Sequence, residues 1–291
     1  MASGILIVDK PAGWTSMDVC AKLRGVFHEK RVGHGGTLDP MATGVLPVFI
    51  GRATRAAEFA EKSDKEYIAG IRLGVVTNTQ DTSGEILEER PVQVSRERFA
   101  AALGKFRGDI LQVPPMYSAV KINGKKLYEL ARKGREIERP PRPVTIRALE
   151  VLERKPGDGS DFLLRVRCSK GTYVRTLCHD IGQALGCGGC MSSLRRTAAA
   201  GFDGEDACPM ERVLSMERPE ELLLPVDTLF RNRKKLVLSP AMEKKVRNGM
   251  TAAMPSLAPG EYRAYARSGE FLALCQAKDG KLSTIKSFFE V

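Results

Sequence analysis

The pattern of hydrophobic positions switches between the period of a strand and that of a helix. Apolar residues alternate with other residues along 65–73 and 162–168, which predicts strands with one face in a core. Four apolar residues instead recur at helical spacing: Val174, Leu177, Ile181 and Ala184. Thr15 and Asp18 form a capping box before another helix. Because helices and strands do not alternate regularly, we predict an α+β fold with a mixed, mainly antiparallel sheet and flanking helices.

After residue 202 the pattern of hydrophobic positions changes to one that predicts short strands beyond a basic run. The basic run 231–235 predicts a hinge, and three short strands are predicted beyond it, at 261–267, 271–277 and 283–289. We therefore expect a large domain at 1–232 and a small β-rich domain at 233–291. Within the large domain, residues 125–133 predict a basic helix.

Composition and charge narrow the function classes. The chain has 46 Lys and Arg against 35 Asp and Glu, a net charge of +11. This excess indicates either a polyanionic partner such as nucleic acid or a charge that only keeps the protein soluble. Seven scattered cysteines, an N-terminus without a signal-peptide pattern and the lack of a membrane-spanning apolar run predict a cytoplasmic protein with reduced thiols.

A zinc hydrolase or deaminase is one alternative, because Cys187 and Cys190 form a C-x-x-C pair. A zinc site needs a second pair of ligands. A deaminase needs His-x-Glu, which neither His34 nor His179 begins. We therefore expect no metal site.

The segment 33–47 concentrates the candidate chemistry. It holds one acid, Asp39, between Leu38 and Pro40, with glycines on both sides. Pro40 is rigid and pushes Asp39 toward an extended conformation. This pattern indicates a positioned reactive carboxylate, or alternatively a turn aspartate that caps its own backbone.

The same segment resembles the catalytic motif of the TruB-type tRNA pseudouridine synthases, which convert uridine 55 of the tRNA T-loop to pseudouridine. Further segments match that family in the same order: 9–16, 65–67, 114–121, 124–129, 168–176 and 194–196. The resemblance implies a pseudouridine-synthase-like sheet, a C-terminal PUA-like RNA-binding domain and base flipping without a cofactor. It also implies tRNA, through its T-arm, as the partner. No protein partner is implied, and we expect a monomer.

The resemblance implies three catalytic residues. Asp39 would attack uracil C6 or ribose C1′, Tyr67 would stack on the flipped uracil, and Arg175 would pair with Asp39. Burial alone would raise the pKa of Asp39, so a close cation is needed to keep it ionised. The implied substrate-binding residues are His34, Tyr173, Leu194, Lys10 and Arg195. For the aromatic and leucine side chains among these residues, an ordinary core role fits the pattern as well.

Two alternatives share the RNA partner. One is a related synthase that needs a guide-RNA complex. The other is an RNA-binding or RNA-folding module without catalysis, against which the complete set of Asp39, Tyr67 and Arg175 argues.

RNA affinity should fall steeply with salt, because the basic residues release counterions when they contact phosphates. The candidate contacts are Lys121, Lys125, Lys126, Arg132, Lys133, Arg195, Arg196 and the run 231–235. Filter binding across a series of KCl concentrations measures this dependence. A flat plot of log affinity against log salt would contradict the RNA groove.

Overall fold

The computed structural model describes residues 2–154 and 160–289, and a large mixed sheet dominates it. Its strands are β1 (Gly4–Lys10), β2 (Val32–His34), β3 (Thr43–Ile50), β4 (Lys65–Leu73), β5 (Val75–Thr77), β6 (Ile86–Glu89), β7 (Gly108–Gln112), β8 (Lys121–Ile122), β9 (Lys125–Lys126), β10 (Arg142–Arg154), β11 (Asp161–Cys168), β12 (Gly189–Ala199), β13 (Phe202–Asp203), β14 (Cys208–Pro209), β15 (Lys234–Val237), β16 (Ala252–Ala253), β17 (Gly260–Tyr265), β18 (Phe271–Lys278) and β19 (Lys281–Ser287). The α-helices are α1 (Ser16–Val26), α2 (Ala57–Glu61), α3 (Arg96–Ala102), α4 (Leu127–Ala131), α5 (Val174–Leu185), α6 (Met210–Ser215) and α7 (Pro240–Arg247). Short 3₁₀ helices cover Gly51–Ala56, Leu103–Phe106, Pro219–Leu222 and Val226–Phe230.

The large sheet runs in the order β14-β1-β3-β12-β4-β11-β10-β7, with β2 on β3 and β13 on β12. The pairs β1–β14 and β3–β12 are parallel, and the other pairs of this sheet in the described residues are antiparallel. A second sheet follows in the C-terminal region, in the order β15-β17-β18-β19-β16. The predicted α+β class, with a mixed and mainly antiparallel sheet and a small β-rich domain, is confirmed.

The core lies on both faces of the large sheet. Along β1, Leu6 and Val8 pack into one cluster, whereas Ile5 and Ile7 pack into the other, because successive strand residues point to opposite faces. The first cluster includes residues of α1, α3 and α5. The second contains Phe230 together with residues of the C-terminal sheet. The C-terminal sheet therefore packs on the large sheet through this second cluster, and a third cluster lies within the C-terminal region itself.

Aromatic rings form most of this junction. Phe230 contacts Phe59 edge-on, with ring centroids 5.2 Å apart, and lies 5.8 Å from Phe288. Phe271 stacks on Phe288 at 5.3 Å. An ion pair from Lys286 to Glu58, at 2.8 Å, borders the rings.

Most of the predicted elements that flank the site are confirmed. Tyr67 and the other alternating apolar residues of β4 are buried. The capping box of α1 is present, with Asp18 N donating to Thr15 Oγ1 at 3.0 Å and Thr15 N donating to Asp18 Oδ2 at 2.8 Å. In α5 the buried stripe differs at one position, because Ala184 is exposed and Leu185 is buried.

Two predicted segments are wrong in part. Residues 125 and 126 belong to a short hairpin, and α4 begins only at Leu127. Asn123 and Gly124 both have positive φ, at 51° and 78°, which is the backbone of a two-residue hairpin turn. The predicted hinge at 231–235 is also partly ordered, because β15 begins at Lys234 and pairs with β17.

All seven cysteines are buried and unpaired. Among the helices in the described residues, none is both long and apolar enough to cross a membrane.

Replacing two helical glycines by alanine should change stability in opposite directions. A Cβ at Gly182 in α5 would lie 2.3 Å from Gly189 N, so Gly182→Ala should lower the free energy of unfolding by about 2 kcal/mol. A Cβ at Gly25 in α1 meets nothing within 4 Å, so Gly25→Ala should raise it by about 0.5 kcal/mol. Urea unfolding of both variants measures the two changes in the free energy of unfolding. Equal changes would contradict the close packing of α5 on β12.

Candidate active site

A cavity of about 860 Å³ opens over the large sheet. One wall is the loop between β2 and β3, which carries Asp39. The floor comes from β4 and β12, and the opposite wall comes from the start of α5 and the segment before it. Residues 117–120 and the helix α4 border the opening. The cavity thus joins segments that are far apart in the sequence.

The backbone on both sides of Asp39 is fixed by the start of the chain. Leu38 N donates to Ser16 Oγ at 2.8 Å, and that hydroxyl donates back to Leu38 O at 3.3 Å. Pro40 O accepts from Gly13 N at 2.8 Å. The position of the carboxylate is therefore set by the segment that leads into α1.

Gly44 closes the loop where β3 begins. Its φ is +100°, and a Cβ there would lie 2.2 Å from Arg196 O, so only glycine fits. This close approach holds β3 against β12, beneath the loop.

Asp39 binds Arg175 through two contacts. Arg175 Nε lies 3.0 Å from Oδ2, and Nη2 donates to Oδ1 at 3.4 Å. The guanidinium also donates to Thr79 O at 3.1 Å and Tyr117 O at 2.9 Å. The arginine side chain is 7% exposed and that of Asp39 is 33% exposed. The buried and rigid guanidinium of Arg175 thus holds the carboxylate of Asp39 at the cavity.

A second acid, Asp81, lies behind the arginine, with Oδ2 3.6 Å from Arg175 Nη1. Its other oxygen accepts from Thr79 Oγ1 at 2.8 Å and from Ser83 N at 3.0 Å. Asp81 is not predicted from the sequence, because the polar segment 77–84 has the composition of a loop. The one signal available was an acid close to three hydroxyl residues, Thr79, Thr82 and Ser83.

Burial raises the pKa of the Asp39 carboxyl, Arg175 opposes that rise, and Asp81 adds to it. The resemblance implies that the arginine keeps the carboxylate ionised. The pKa nevertheless stays above the ordinary value for aspartate, because desolvation is the largest effect.

Three predicted residues line the cavity beside this pair. Tyr67 lies on β4 and is 8% exposed, and burial raises the pKa of its hydroxyl. Leu194, on β12, is equally buried. Tyr173 precedes α5, and Gln112 holds its backbone through hydrogen bonds to N at 3.0 Å and O at 3.2 Å.

Lys10 is fully buried beneath the Asp39 loop. Its ammonium donates to Pro11 O at 2.8 Å, Trp14 O at 2.6 Å and Pro40 O at 3.3 Å. Burial lowers its pKa to about 8. All three protons of the ammonium are therefore donated to carbonyls within the protein. Lys10 can thus influence the cavity by holding the Asp39 loop in place, and not as an exposed side chain.

His34 and Arg195 lie outside the cavity lining in the described residues. His34 is half-buried, and its Nδ1 accepts from Gly36 N at 3.4 Å. Arg195 is 46% exposed and binds Asp9 through two contacts, at 2.8 and 3.1 Å. A substrate would have to extend beyond the cavity to contact either residue.

The prediction that Arg196 contacts a phosphate of the RNA is wrong. Its side chain is 1% exposed, and it donates to Val45 O at 2.7 Å and Gly36 O at 3.1 Å. Arg132 in contrast is exposed at the cavity mouth, with its guanidinium carbon 5.3 Å from the ring centre of Tyr128. It stays a candidate for RNA contact.

Cys187 and Cys190 are buried thiols at the start of β12. Within 2–154 and 160–289, no group of three or more His, Cys, Asp or Glu side chains is placed to hold a metal ion.

Comparison with known proteins agrees with this fold. The model of the TruB family pseudouridylate synthase N-terminal domain matches residues 24–174, and that of the tRNA pseudouridylate synthase B C-terminal domain matches 175–231. A tRNA pseudouridine synthase B from Alkaliphilus oremlandii is 48% identical over 247 residues, which are 85% of this chain and 82% of that protein. One from Shouchella clausii is 44% identical over 292 residues, covering 98% and 96%.

A solved structure is similar over nearly the whole chain. It is described as the crystal structure of a Cbf5-Nop10-Gar1 complex, with a TM-score of 0.74 and 28% identity, covering 98% of this chain and 85% of that one. The fold and these relatives first give the class, which is a pseudouridine synthase, an isomerase. Within that class, the chain belongs to the TruB family of pseudouridylate synthases.

Asp81→Asn should lower the pKa of the Asp39 carboxyl, because it removes a negative charge that raises it and leaves Arg175 more attractive to Asp39. The amide oxygen can still accept the bond from Ser83 N. Carbon-13 NMR titration of the carboxyl groups, with Asp39→Asn used for assignment, measures the shift. Asp9→Asn is the control, since Asp9 pairs with Arg195. An unchanged pKa in Asp81→Asn would contradict the coupling.

Proposed function

We propose that this chain isomerises uridine 55 in the T-loop of tRNA to pseudouridine. The cavity takes up the flipped base, and Asp39 is the nucleophile. The proposal is supported by the relatives named tRNA pseudouridine synthase B, which cover nearly the full chain. The observation that carries the mechanism is the two-point contact between Asp39 and Arg175, with Asp39 facing a cavity that Tyr67 also lines.

The reaction requires cleavage of the N1–C1′ bond, rotation of the base and formation of a C5–C1′ bond. No atom is gained or lost and no oxidation occurs, so the reaction needs no cofactor. A carboxylate can add to uracil C6 or to ribose C1′ as a covalent nucleophile. Because Asp39 acts only when ionised, Arg175 is the catalytic partner that opposes the effect of burial on its pKa.

The remaining cavity residues bind the base. Tyr67 stacks on uracil, and Tyr173 and Leu194 form the walls around it. Extracting a base from a folded loop costs a few kcal/mol. His34, half-buried beside the cavity, offsets part of this cost by filling the space that the uridine leaves. Arg195 contacts RNA at the rim, and Lys10 supports the loop beneath.

The enzyme divides at residues 1–232 and 233–291, and the smaller domain adds RNA contacts. This division is supported by the sheet that begins at Lys234 and by the family match that ends at residue 231. The positive charge of the chain suits the T-arm of tRNA. We expect a monomer in the cytoplasm, where the seven free thiols stay reduced.

The alternative within the class is a synthase that needs a guide-RNA complex. This chain is more similar in sequence to the curated tRNA pseudouridine synthases B than to the chain from the Cbf5-Nop10-Gar1 complex. A stand-alone enzyme is therefore the better-supported reading.

T-loop RNA with tritium at C5 of the target uridine tests the function. The protein alone should release the tritium, because C5 loses its hydrogen when it bonds to C1′. Asp39→Asn should abolish the release, since an amide cannot act as the nucleophile. Arg175→Ala should slow it by orders of magnitude while the RNA still binds. Scintillation counting and filter binding measure both effects.

Asp109→Asn is the matched control, because Asp109 is an exposed acid on the edge strand β7 and should keep full activity. Release by Asp39→Asn at the normal rate would reject Asp39 as the nucleophile. No release from the wild type until a guide RNA is added would favour the alternative.

A further inference from the structure

Arg196 is a buried cation that the mechanism above does not use. It is among the largest fully buried side chains in the described residues. Among residues 2–154 and 160–289, no carboxylate pairs with it. Arginine remains protonated even when buried, so this position carries a permanent positive charge. An uncompensated buried charge is costly, which indicates a use for it.

The guanidinium holds both ends of the catalytic loop. Nη2 donates to Gly36 O at 3.1 Å, and Nη1 lies 3.5 Å from Thr37 O, just before Asp39. Nε donates to Val45 O at 2.7 Å, after the loop. One planar group thus fixes the backbone on each side of the reactive acid.

Arg196 also lies next to Tyr67, the residue on which the base is proposed to stack. Arg196 on β12 pairs directly with Tyr67 on β4, and both line the cavity. Burial raises the pKa of the tyrosine hydroxyl, and the neighbouring guanidinium opposes this rise. The charge therefore lies at the floor of the cavity, where the flipped base stacks.

The base acquires negative charge whichever carbon Asp39 attacks. At C1′, the C1′–O bond forms while C1′–N1 breaks, and the electron pair stays on the uracil. At C6, the O–C6 bond forms while the electrons of C5=C6 move to the C4 oxygen as an enolate. A fixed cation in a dry site stabilises such charge without reorganising at the moment of reaction.

We propose that Arg196 supplies this stabilisation, acting as a permanent cation under the base in addition to holding the Asp39 loop and Tyr67 in place. The proposal rests on pseudouridine formation at this cavity. It makes the activity depend on the charge of residue 196 and not only on its hydrogen bonds.

The test compares T-loop RNA containing uridine with the same RNA containing 5-fluorouridine, followed as single-turnover loss of the starting nucleoside. Fluorine withdraws electrons, so the fluorinated base stabilises its own negative charge and needs the cation less. Arg196→Gln should slow the uridine reaction by about a hundredfold. The factor by which Arg196→Gln slows the fluorouridine reaction should be several-fold smaller than the factor for uridine. Arg196→Lys keeps the charge and should slow both reactions by the same factor.

Thermal melting and RNA filter binding show that each variant is folded and binds substrate. If Arg196→Gln does not fold, citrulline at position 196 replaces it, because citrulline is neutral and has nearly the shape of arginine. Arg165→Gln is the matched control on β11, the strand on the other side of β4, where the arginine is 49% exposed and pairs with Glu66. It should keep wild-type rates on both substrates.

Equal losses on the two substrates in Arg196→Gln would overturn the electrostatic role and leave only a structural one. No loss on either substrate would overturn the proposal entirely. Conversion of neither substrate by the wild type would instead reject the proposed function.

Discussion

The ion pair of Asp39 and Arg175 is the interaction on which the rest of the site depends. Burial disfavours the charged form of the Asp39 carboxylate, whereas the neighbouring guanidinium favours it. The guanidinium of Arg175 lies beside the carboxylate, and it is itself held in place because it donates to two backbone carbonyls. Arg175 lies in the first turn of α5 and Asp39 lies in the β2–β3 loop, so the pair joins two elements that are far apart in the sequence.

The pair is surrounded by buried cations that contact backbone rather than acids. Lys10 donates to three carbonyls under the loop, Arg196 to those on either side of it, and Lys65 to three carbonyls around the end of α2. Burial lowers the pKa of Lys65 to about 8, as it does for Lys10. Among these three cations, Lys10 favours the ionised form of Asp39, as Arg175 does.

The sequence predicted the elements with strong local signals. The alternation of β4 and the capping box of α1 both specify their structures within a few residues. The sequence also placed Asp39 and Arg175 in one site, but only through the resemblance of whole motifs. No local pattern links two residues that far apart in the chain.

What the sequence could not give was burial. A lysine or arginine is a surface residue by default, and the carbonyls that receive Lys10 and Arg196 come from segments remote in sequence. Asp81 was missed for the same reason, since its partner Arg175 lies on another element. The hairpin at 121–126 is different, because its Asn-Gly turn was a local signal that the basic composition of the segment obscured.

The aromatic junction behind the sheet has a consequence for the reach of the enzyme. Phe59 and Phe230 meet Phe271 and Phe288 of the C-terminal sheet, so swinging that sheet away would expose rings at a cost of several kcal/mol, by order of magnitude. The distance from the Asp39 carboxylate to the far end of the C-terminal sheet is thus nearly constant. An RNA that contacted both the cavity and the C-terminal sheet would therefore have to match a fixed distance between them.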